Sequence, residues 1–197
     1  MAVVKANAYG HGLVPVSKAL QGKVDFLGIS SLKEASLLRE QGITAPLFLF
    51  GRIFQDEVPL ALQMNLVLTV SSFGEARAIS EVSSQLRKTA WIHIKVDTGM
   101  GRLGIPYALA FSEIEKMAAL SELKLDGIYT HFPQAERYPG SGGEKQLKDF
   151  EKLIQNLRRK GISFTFRHAA NSAGALRLKS PWLNLVRPGI ALYGIHP

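Results

Sequence analysis

The 197-residue sequence has no cysteine, which excludes a disulfide framework and any thiolate chemistry. It also lacks an apolar run approaching the roughly 18 residues of a membrane span. Lys5 breaks the apolar start almost at once, so nothing there reads as a secretory signal. These absences fit a cytoplasmic protein. Metal-ligand spacing is missing too: the five histidines (11, 93, 131, 168 and 196) form no paired motif and no HExxH occurs, so no metal is expected. Acids are scarce, 16 against 24 Lys and Arg, giving a formal charge of +8. The basic residues are dispersed, however. Their densest group, Arg158-Arg159-Lys160, stands at a predicted helix end, where the helix dipole favours cations. No basic stripe is interleaved with aromatics, so nucleic acid is not expected as a partner, and the positive balance better suits a small anionic ligand.

What is present is ordinary for one globular domain with a sizeable core, 46% hydrophobic and 20% charged. Apolar, β-branched runs recur at 2–5, 25–30, 46–50, 66–70, 91–96, 125–131, 164–169 and 183–187, with IALYG (190–194) behind the last. Helix-like segments separate most of them: SLKEASLLREQG, SFGEARAISEVSSQLRK, YALAFSEIEKMAALSEL and EKQLKDFEKLIQNLRRKG. In the last, Leu147, Phe150, Leu153, Ile154 and Leu157 recur at helical spacing before Gly161. About eight strand–helix alternations imply a parallel sheet with crossover helices. The fold class is therefore α/β, a (β/α)8 barrel of TIM type, with a doubly wound open sheet as runner-up. No linker divides residues 1–197; the one irregular stretch is the Pro/Gly/Ser-rich loop 132–143.

The first run is unusual in its ending. VVKANAYGHG (3–12) closes a Val-Val strand with a lysine, then two glycines, a tyrosine and a histidine. Such surroundings suit a reactive amine. Lys5, Lys95, His131, His168, Asn171 and Arg187 all fall at or just past strand ends, which face the active site in a barrel. GMGRLG (99–104) matches a dinucleotide fingerprint, but Ile105-Pro106 follows where a helix should open, so that reading is rejected. His93 alternates with Ile92 and Ile94 and reads as a structural residue on a barrel face. In RHAANSAGAL a strand ends at His168, and Asn171-Ser172 can cap a helix whose open N–H groups suit an anion. In VRPGIALYG, Pro188-Gly189 lets backbone approach a ligand closely. A lysine amine and a phosphate cradle together suggest pyridoxal 5'-phosphate held as a Schiff base.

VVKANAYGHG, KVDTGMGRLG, THFPQAE, HAANSAG and VRPGIALYG resemble the successive motifs of bacterial alanine racemase, in that family's order and over nearly the whole chain. The resemblance implies a barrel followed by a β-rich C-terminal domain, in a homodimer. It makes Lys5 the cofactor-linked lysine and one of two catalytic bases. Tyr9, Ser172 and the backbone of Gly189 and Ile190 would hold the phosphate, with Asn171 beside them. Arg187, supported by His168, would meet the ring nitrogen, and His131 would lie against the ring. Arg102 would touch the phenolic oxygen and the substrate carboxylate. Lys95 matches a lysine that is carbamylated in many members. The expected function is interconversion of L- and D-alanine, the latter for peptidoglycan.

The chain departs from the family pattern in Pro133 and Glu136. It is expected to be the barrel portion, residues 1–197, without the C-terminal domain whose tyrosine serves as second base across the dimer. None of Tyr9, Tyr107, Tyr129, Tyr138 or Tyr193 matches that tyrosine's motif. The alternative is a non-catalytic, pyridoxal-phosphate-binding homeostasis barrel, a class that lacks KANAYGHG and GMGRLG.

Overall fold

The computed structural model describes residues 1–137 and 142–197. Seven parallel strands follow one another around a barrel in chain order: β1 (Ala2–Val3), β2 (Leu27–Ile29), β3 (Leu47–Leu49), β4 (Leu66–Val70), β5 (Ala90–Asp97), β7 (Leu123–Tyr129) and β8 (Phe166–His168). The two-residue β6 (Ile105–Pro106) only extends the end of β5, through Val96 and Ile105. Outer helices fill the crossovers: α2 (Leu13–Leu20), α3 (Leu32–Glu40), α4 (Val58–Gln63), α5 (Phe73–Leu86), α6 (Tyr107–Ala118) and α7 (Gly143–Arg159). A short turn α1 (Lys5–Tyr9) follows β1, and α8 (Ser172–Arg177) follows β8. The sequence reading missed α2 and α4. Its irregular loop 132–143 contains a 3-10 turn at Ala135–Arg137, and residues 138–141 of it lie outside the described residues.

The expected eighth strand, 183–187, is reduced to one parallel bridge between His168 and Leu185. It still closes the ring. Asn184 N–H donates to Arg167 O at 3.0 Å on one side, and Val3 N–H donates to Pro188 O at 3.0 Å on the other. A regular ladder fails here because the Asn184 side chain takes the ladder's place, accepting from Arg167 N–H and donating to Thr165 O, each at 2.8 Å. Pro188 then has no N–H to offer. The apolar run IALYG behind it is no strand either; Ile190–Tyr193 form a 3-10 turn. Val186, on the outer side of this segment, remains 46% exposed.

Two apolar layers result, beside a small cluster of Phe132, Ala135, Leu147, Ala169 and Ala173. The larger lies between strands and helices, where Leu27, Ile29, Leu47, Leu68, Ile92 and Ile94 meet Leu38, Ile79, Ile114 and Phe150. The alternate residues fill the barrel interior: Phe26, Phe48, Val67, Tyr129 and Leu185. This interior is tight. Gly127 pairs with His93 across β7 and β5, where the register shifts by a bulge, and a Cβ on Gly127 would stand 2.5 Å from the His93 ring. Only glycine leaves room for an imidazole there.

Candidate active site

The residue that closes the first predicted strand does not lie in it. β1 ends at Val3, and Lys5 opens a turn in which Ala6, Asn7, Ala8 and Tyr9 all have φ between 53° and 55°. Four consecutive non-glycine residues in the left-handed region cost about 1–2 kcal/mol each, so their surroundings must hold them. Ala8 N–H donates to Val4 O, Gly10 and Gly12 N–H donate to Asn7 O, and the Asn7 side chain accepts from Leu13 N–H at 2.8 Å. Tyr9 and His11 also pack on Tyr193, whose hydroxyl donates to Val3 O at 2.9 Å. The turn sends Tyr9 back across the barrel mouth toward the loop after segment 184–188.

Period-two alternation on β5 places His93 and Lys95 both inside the barrel, at 0% and 4% exposure. Burial, with Arg102 and Arg187 nearby, pulls the Lys95 ammonium down to about 8. At the end of β5, Asp97 accepts backbone N–H bonds from Gly99, Met100 and Gly101, which curl GMGRLG around its carboxylate. Burial alone would raise that carboxyl, but these bonds outweigh it and hold it below the usual range. The glycines therefore serve an acid-centred loop that presents Arg102, and β6 rather than a helix follows them. A Cβ on Gly104 would strike Asp97 N at 2.8 Å.

Arg187 comes from the closing segment and is buried at 4% exposure. Its guanidinium donates to His168 Nδ1 at 2.8 Å, to the carbonyls of Thr130 and Ala169 at 2.9 and 3.0 Å, and to His131 Nδ1 at 3.3 Å. None of these partners is an acid. Burial lowers the Arg187 guanidinium to about 10. Burial, followed by the Arg187 charge, depresses both imidazoles: His131 falls to about 3, and His168 lies well below its ordinary value. Both histidines are neutral near pH 7.

The remaining wall comes from the last two loops. Ser172 Oγ accepts from Gly189 N–H at 2.8 Å and Ala191 N–H at 3.2 Å, which joins the α8 start to the closing segment. Among the described residues nothing accepts its own O–H. A Cβ on Gly189 would lie 2.6 Å from the Tyr9 hydroxyl, so any side chain there would fill the gap. Asn171 caps α8 through its Oδ1, which accepts from Gly174 N–H at 2.9 Å.

These elements enclose a cavity of about 740 Å³. Of the residues singled out in the sequence, Lys5, Tyr9, Lys95, Arg102, His131, Asn171, Ser172, Arg187, Gly189 and Ile190 line it. His168 does not. It is fully buried behind Arg187. Sequence reasoning missed Tyr129, which lines the cavity and stacks on His168 at 4.7 Å and 3°. Its hydroxyl pairs with Thr69 Oγ1 at 3.0 Å; Thr69 donates to Leu49 O, so Tyr129 is the donor, and burial raises its phenol to about 12. The signal was available, since Tyr129 stands two residues before His131 and shares its inward face. Ser30, Phe50 and Gly51 also line the cavity, from strand ends that carried no flagged residue. Among the described residues no group of three or more metal-ligating side chains occurs, and no helix is long and apolar enough to cross a membrane.

The family described as alanine racemase, N-terminal domain, matches residues 1–197. Alanine racemases of Desulforamulus reducens and Methanococcus maripaludis are 43% and 41% identical, covering all of this chain and 54% and 53% of their own length. Among solved structures, alanine racemase of Clostridium difficile 630 in complex with cycloserine superposes with a TM-score of 0.95 at 33% identity, over 100% of this chain and 54% of its own. The Bacillus anthracis enzyme with bound L-Ala-P gives 0.89 at 36% identity, over 100% and 51%. The chain thus spans about half the length of the relatives it matches.

Proposed function

Because the chain belongs to the alanine racemase N-terminal domain family, matched over its whole length, we propose that it is the barrel that binds pyridoxal phosphate and carries one of the two bases of an alanine racemase. One observation carries this reading. A lysine amine, a hydroxyl-bearing loop pair and a buried arginine without an acid partner all face one cavity. Its volume, about 740 Å³, is that of a pocket for a small organic ligand.

The residues fit the cofactor. The Ser172 hydroxyl, the Tyr9 hydroxyl and the backbone at Gly189 and Ile190 form a phosphate cradle that a Cβ at Gly189 would obstruct. Lys5 would attach the cofactor covalently. Arg187, which can only donate, would bond the ring nitrogen in place of a proton, and His168 fixes the guanidinium from behind. His131 would lie against the ring, with Asn171 capping the helix beside the phosphate. Arg102 would receive the phenolic oxygen and the substrate carboxylate. Lys95, next to Arg102 and pulled down to about 8, would take up carbon dioxide; as a carbamate it changes from a like charge into an anionic partner for Arg102.

When bound, the cofactor supplies an electron sink that acidifies the Cα–H bond of an amino acid. Lys5 then takes that proton, or returns one, on a single face. Tyr9 and Ser172 hold the phosphate still, and Arg102 orients the carboxylate so that Cα–H points at the lysine. Arg187 withholds a proton from the ring nitrogen, which limits charge spread into the ring and disfavours transamination.

Alanine as substrate, D-alanine for peptidoglycan as the product's use, the cytoplasm as location and a homodimer as assembly belong to the same proposal. The relatives named above favour it over a non-catalytic homeostasis barrel. The test is borohydride reduction of the chain incubated with pyridoxal phosphate, followed by peptide mapping. The label is expected on Lys5. Label on Lys95, or scattered over surface lysines, overturns the assignment.

A further inference from the structure

The left-handed turn that carries Lys5 and Tyr9 has a charged anchor from outside its own stretch of chain, besides the Tyr193 ring that packs on Tyr9. Ala6 N–H, the amide next to Lys5, donates to Glu34 Oε1 at 2.7 Å. The other oxygen of that carboxylate accepts from Ser30 N–H at 2.7 Å and Ser30 Oγ–H at 3.0 Å. Glu34 is the third residue of α3, whose N-cap Ser31 accepts from Glu34 N–H at 3.2 Å. A capping-box glutamate would reach back to the N–H of the cap residue itself. Glu34 instead reaches one residue further, to Ser30 just past β2, as Glu75 does to Ser71 at α5, and beyond that across to the β1 turn. This is more than helix capping needs.

We propose that Glu34 is the positioning residue of the lysine turn: its carboxylate, by accepting from Ala6 N–H, holds Ala6–Tyr9 in the left-handed region and thereby sets where Lys5 and Tyr9 point. The geometry supplies the reason. Ala6 is exposed, so no packing replaces the lost contact. With φ at +54° it would otherwise relax toward the right-handed region, turning the Lys5–Ala6 peptide and displacing the lysine. A charged acceptor bridging two strand ends also ties the Lys5 turn to Ser30, which lines the same cavity. The importance of Lys5 and Tyr9 rests on the function proposed above. The anchoring of Ala6 does not.

The experiment uses the whole chain and two readouts. The first needs no cofactor. Hydrogen exchange of the Ala6 amide is expected to quicken about tenfold or more in Glu34→Ala, while Ser31→Ala, which weakens only the α3 cap, leaves it unchanged. Unchanged exchange in Glu34→Ala overturns the proposal even if the cofactor reading is sound. The second readout is the rate at which pyridoxal phosphate attaches to Lys5, followed by its absorbance. It is expected to fall about tenfold in Glu34→Ala, to fall less in Glu34→Gln, which keeps one acceptor, and to hold in Ser31→Ala. The deciding variant is Glu34→Ala with Ala6→Gly. Glycine enters the left-handed region without strain, so attachment should recover to within about threefold of the parent chain. If attachment falls in Glu34→Ala and glycine at position 6 does not restore it, or if Ser31→Ala slows it equally, Glu34 acts only as a cap and the proposal fails. A parent chain that attaches no cofactor refutes the function proposed above, while Ala6 exchange still decides the role of Glu34.

Discussion

His93 Nδ1 meets His168 Nε2 at 2.9 Å inside the barrel, and this contact fixes the protons of both rings. Arg187 can only donate, so His168 Nδ1 accepts and its proton sits on Nε2. That proton points at His93 Nδ1, which forces the His93 proton onto Nε2. There it faces Asp126 Oδ2 at 3.6 Å, an electrostatic partner beyond direct hydrogen-bond range. An arginine at the cavity thus orients two imidazoles toward an acid on the far side of the barrel core.

Nitrogen NMR of the chain tests that order. Both rings are expected as neutral Nε2–H tautomers near pH 7 and above, since burial, the first cause for each, keeps both below their ordinary values. An Nδ1–H tautomer for His168 would show that Arg187 does not donate to it. Asp126→Asn should weaken the chain's hold on the His93 tautomer while leaving the Arg187 contact in place.

Acid stability follows from the same burial. His131 is pulled down to about 3, and His93 and His168 are also depressed, whereas each titrates near 6.5 when unfolded. Below about pH 6.5 the unfolded chain therefore binds protons that the folded chain refuses, and stability falls with pH. Each histidine that stays neutral contributes a slope of at most about 1.4 kcal/mol per pH unit. For His131 the loss continues until about pH 3. Urea midpoints are expected to rise slightly between pH 7 and 8, where folded Lys95 begins to give up the proton that the unfolded chain keeps, and to drop steeply from 6 to 4.5. A flat profile through pH 5 would mean that these rings are not buried neutral.

How much of this could be read from the sequence depends on which interactions are local. The strand–helix alternation and the placement of Lys95 and His131 near the ends of β5 and β7 follow from period and punctuation, so they were legible. The left-handed Lys5 turn was not, because Ala and Tyr carry no signal for φ near +54°, Asn7 alone favours it, and the Glu34 carboxylate that helps to hold it is 28 residues away. The weak eighth strand was hidden for a similar reason. LNLVR has strand composition, but the Asn184 side chain occupies the ladder positions beside β8. The His93–His168 contact spans 75 residues and depends on the space left by Gly127.

Arg187 bears on the fold as well as on chemistry. Replacing it with glutamate would set a carboxylate against the carbonyls of Thr130 and Ala169, both buried acceptors. Arg187→Glu is expected to lose the fold before any change in reaction course can be read. Arg187→Lys, a shorter single-point donor, should stay folded with a loss of about 1.5–3 kcal/mol for the missing charged hydrogen bonds. Thermal unfolding of the two variants separates these outcomes.

Lys95 gives a modification test. With its ammonium pulled to about 8, a sizeable neutral fraction exists at pH 7.5, and the nearby cations Arg102 and Arg187 favour an anion in its place. Labelled bicarbonate is expected to give one carbamate carbon signal, absent in Lys95→Ala and lost on acidification. Signals that survive Lys95→Ala would place the modification elsewhere.

The last prediction concerns the second base. Racemisation takes a proton from one face of Cα and returns one to the other, so two opposed groups are needed. The cavity provides Lys5 on one wall. His131, held near 3, is a poor base at neutral pH, and the Tyr129 hydroxyl donates to Thr69 and is held near 12. Neither is suited to the opposite face. The resemblance assigns that face to a tyrosine of a C-terminal domain, and the matched relatives are about twice as long as this chain. In deuterated water, the 197-residue chain with pyridoxal phosphate is therefore expected to exchange the α-proton of one alanine enantiomer and to retain its configuration. Inversion should be slower than in a two-domain racemase by at least about 10²–10⁴-fold, the usual cost of a missing acid–base group. Proton NMR measures the exchange and chiral chromatography the inversion. Exchange and inversion at matching rates would place a second base within these residues, with His131 and Lys95 the first to substitute.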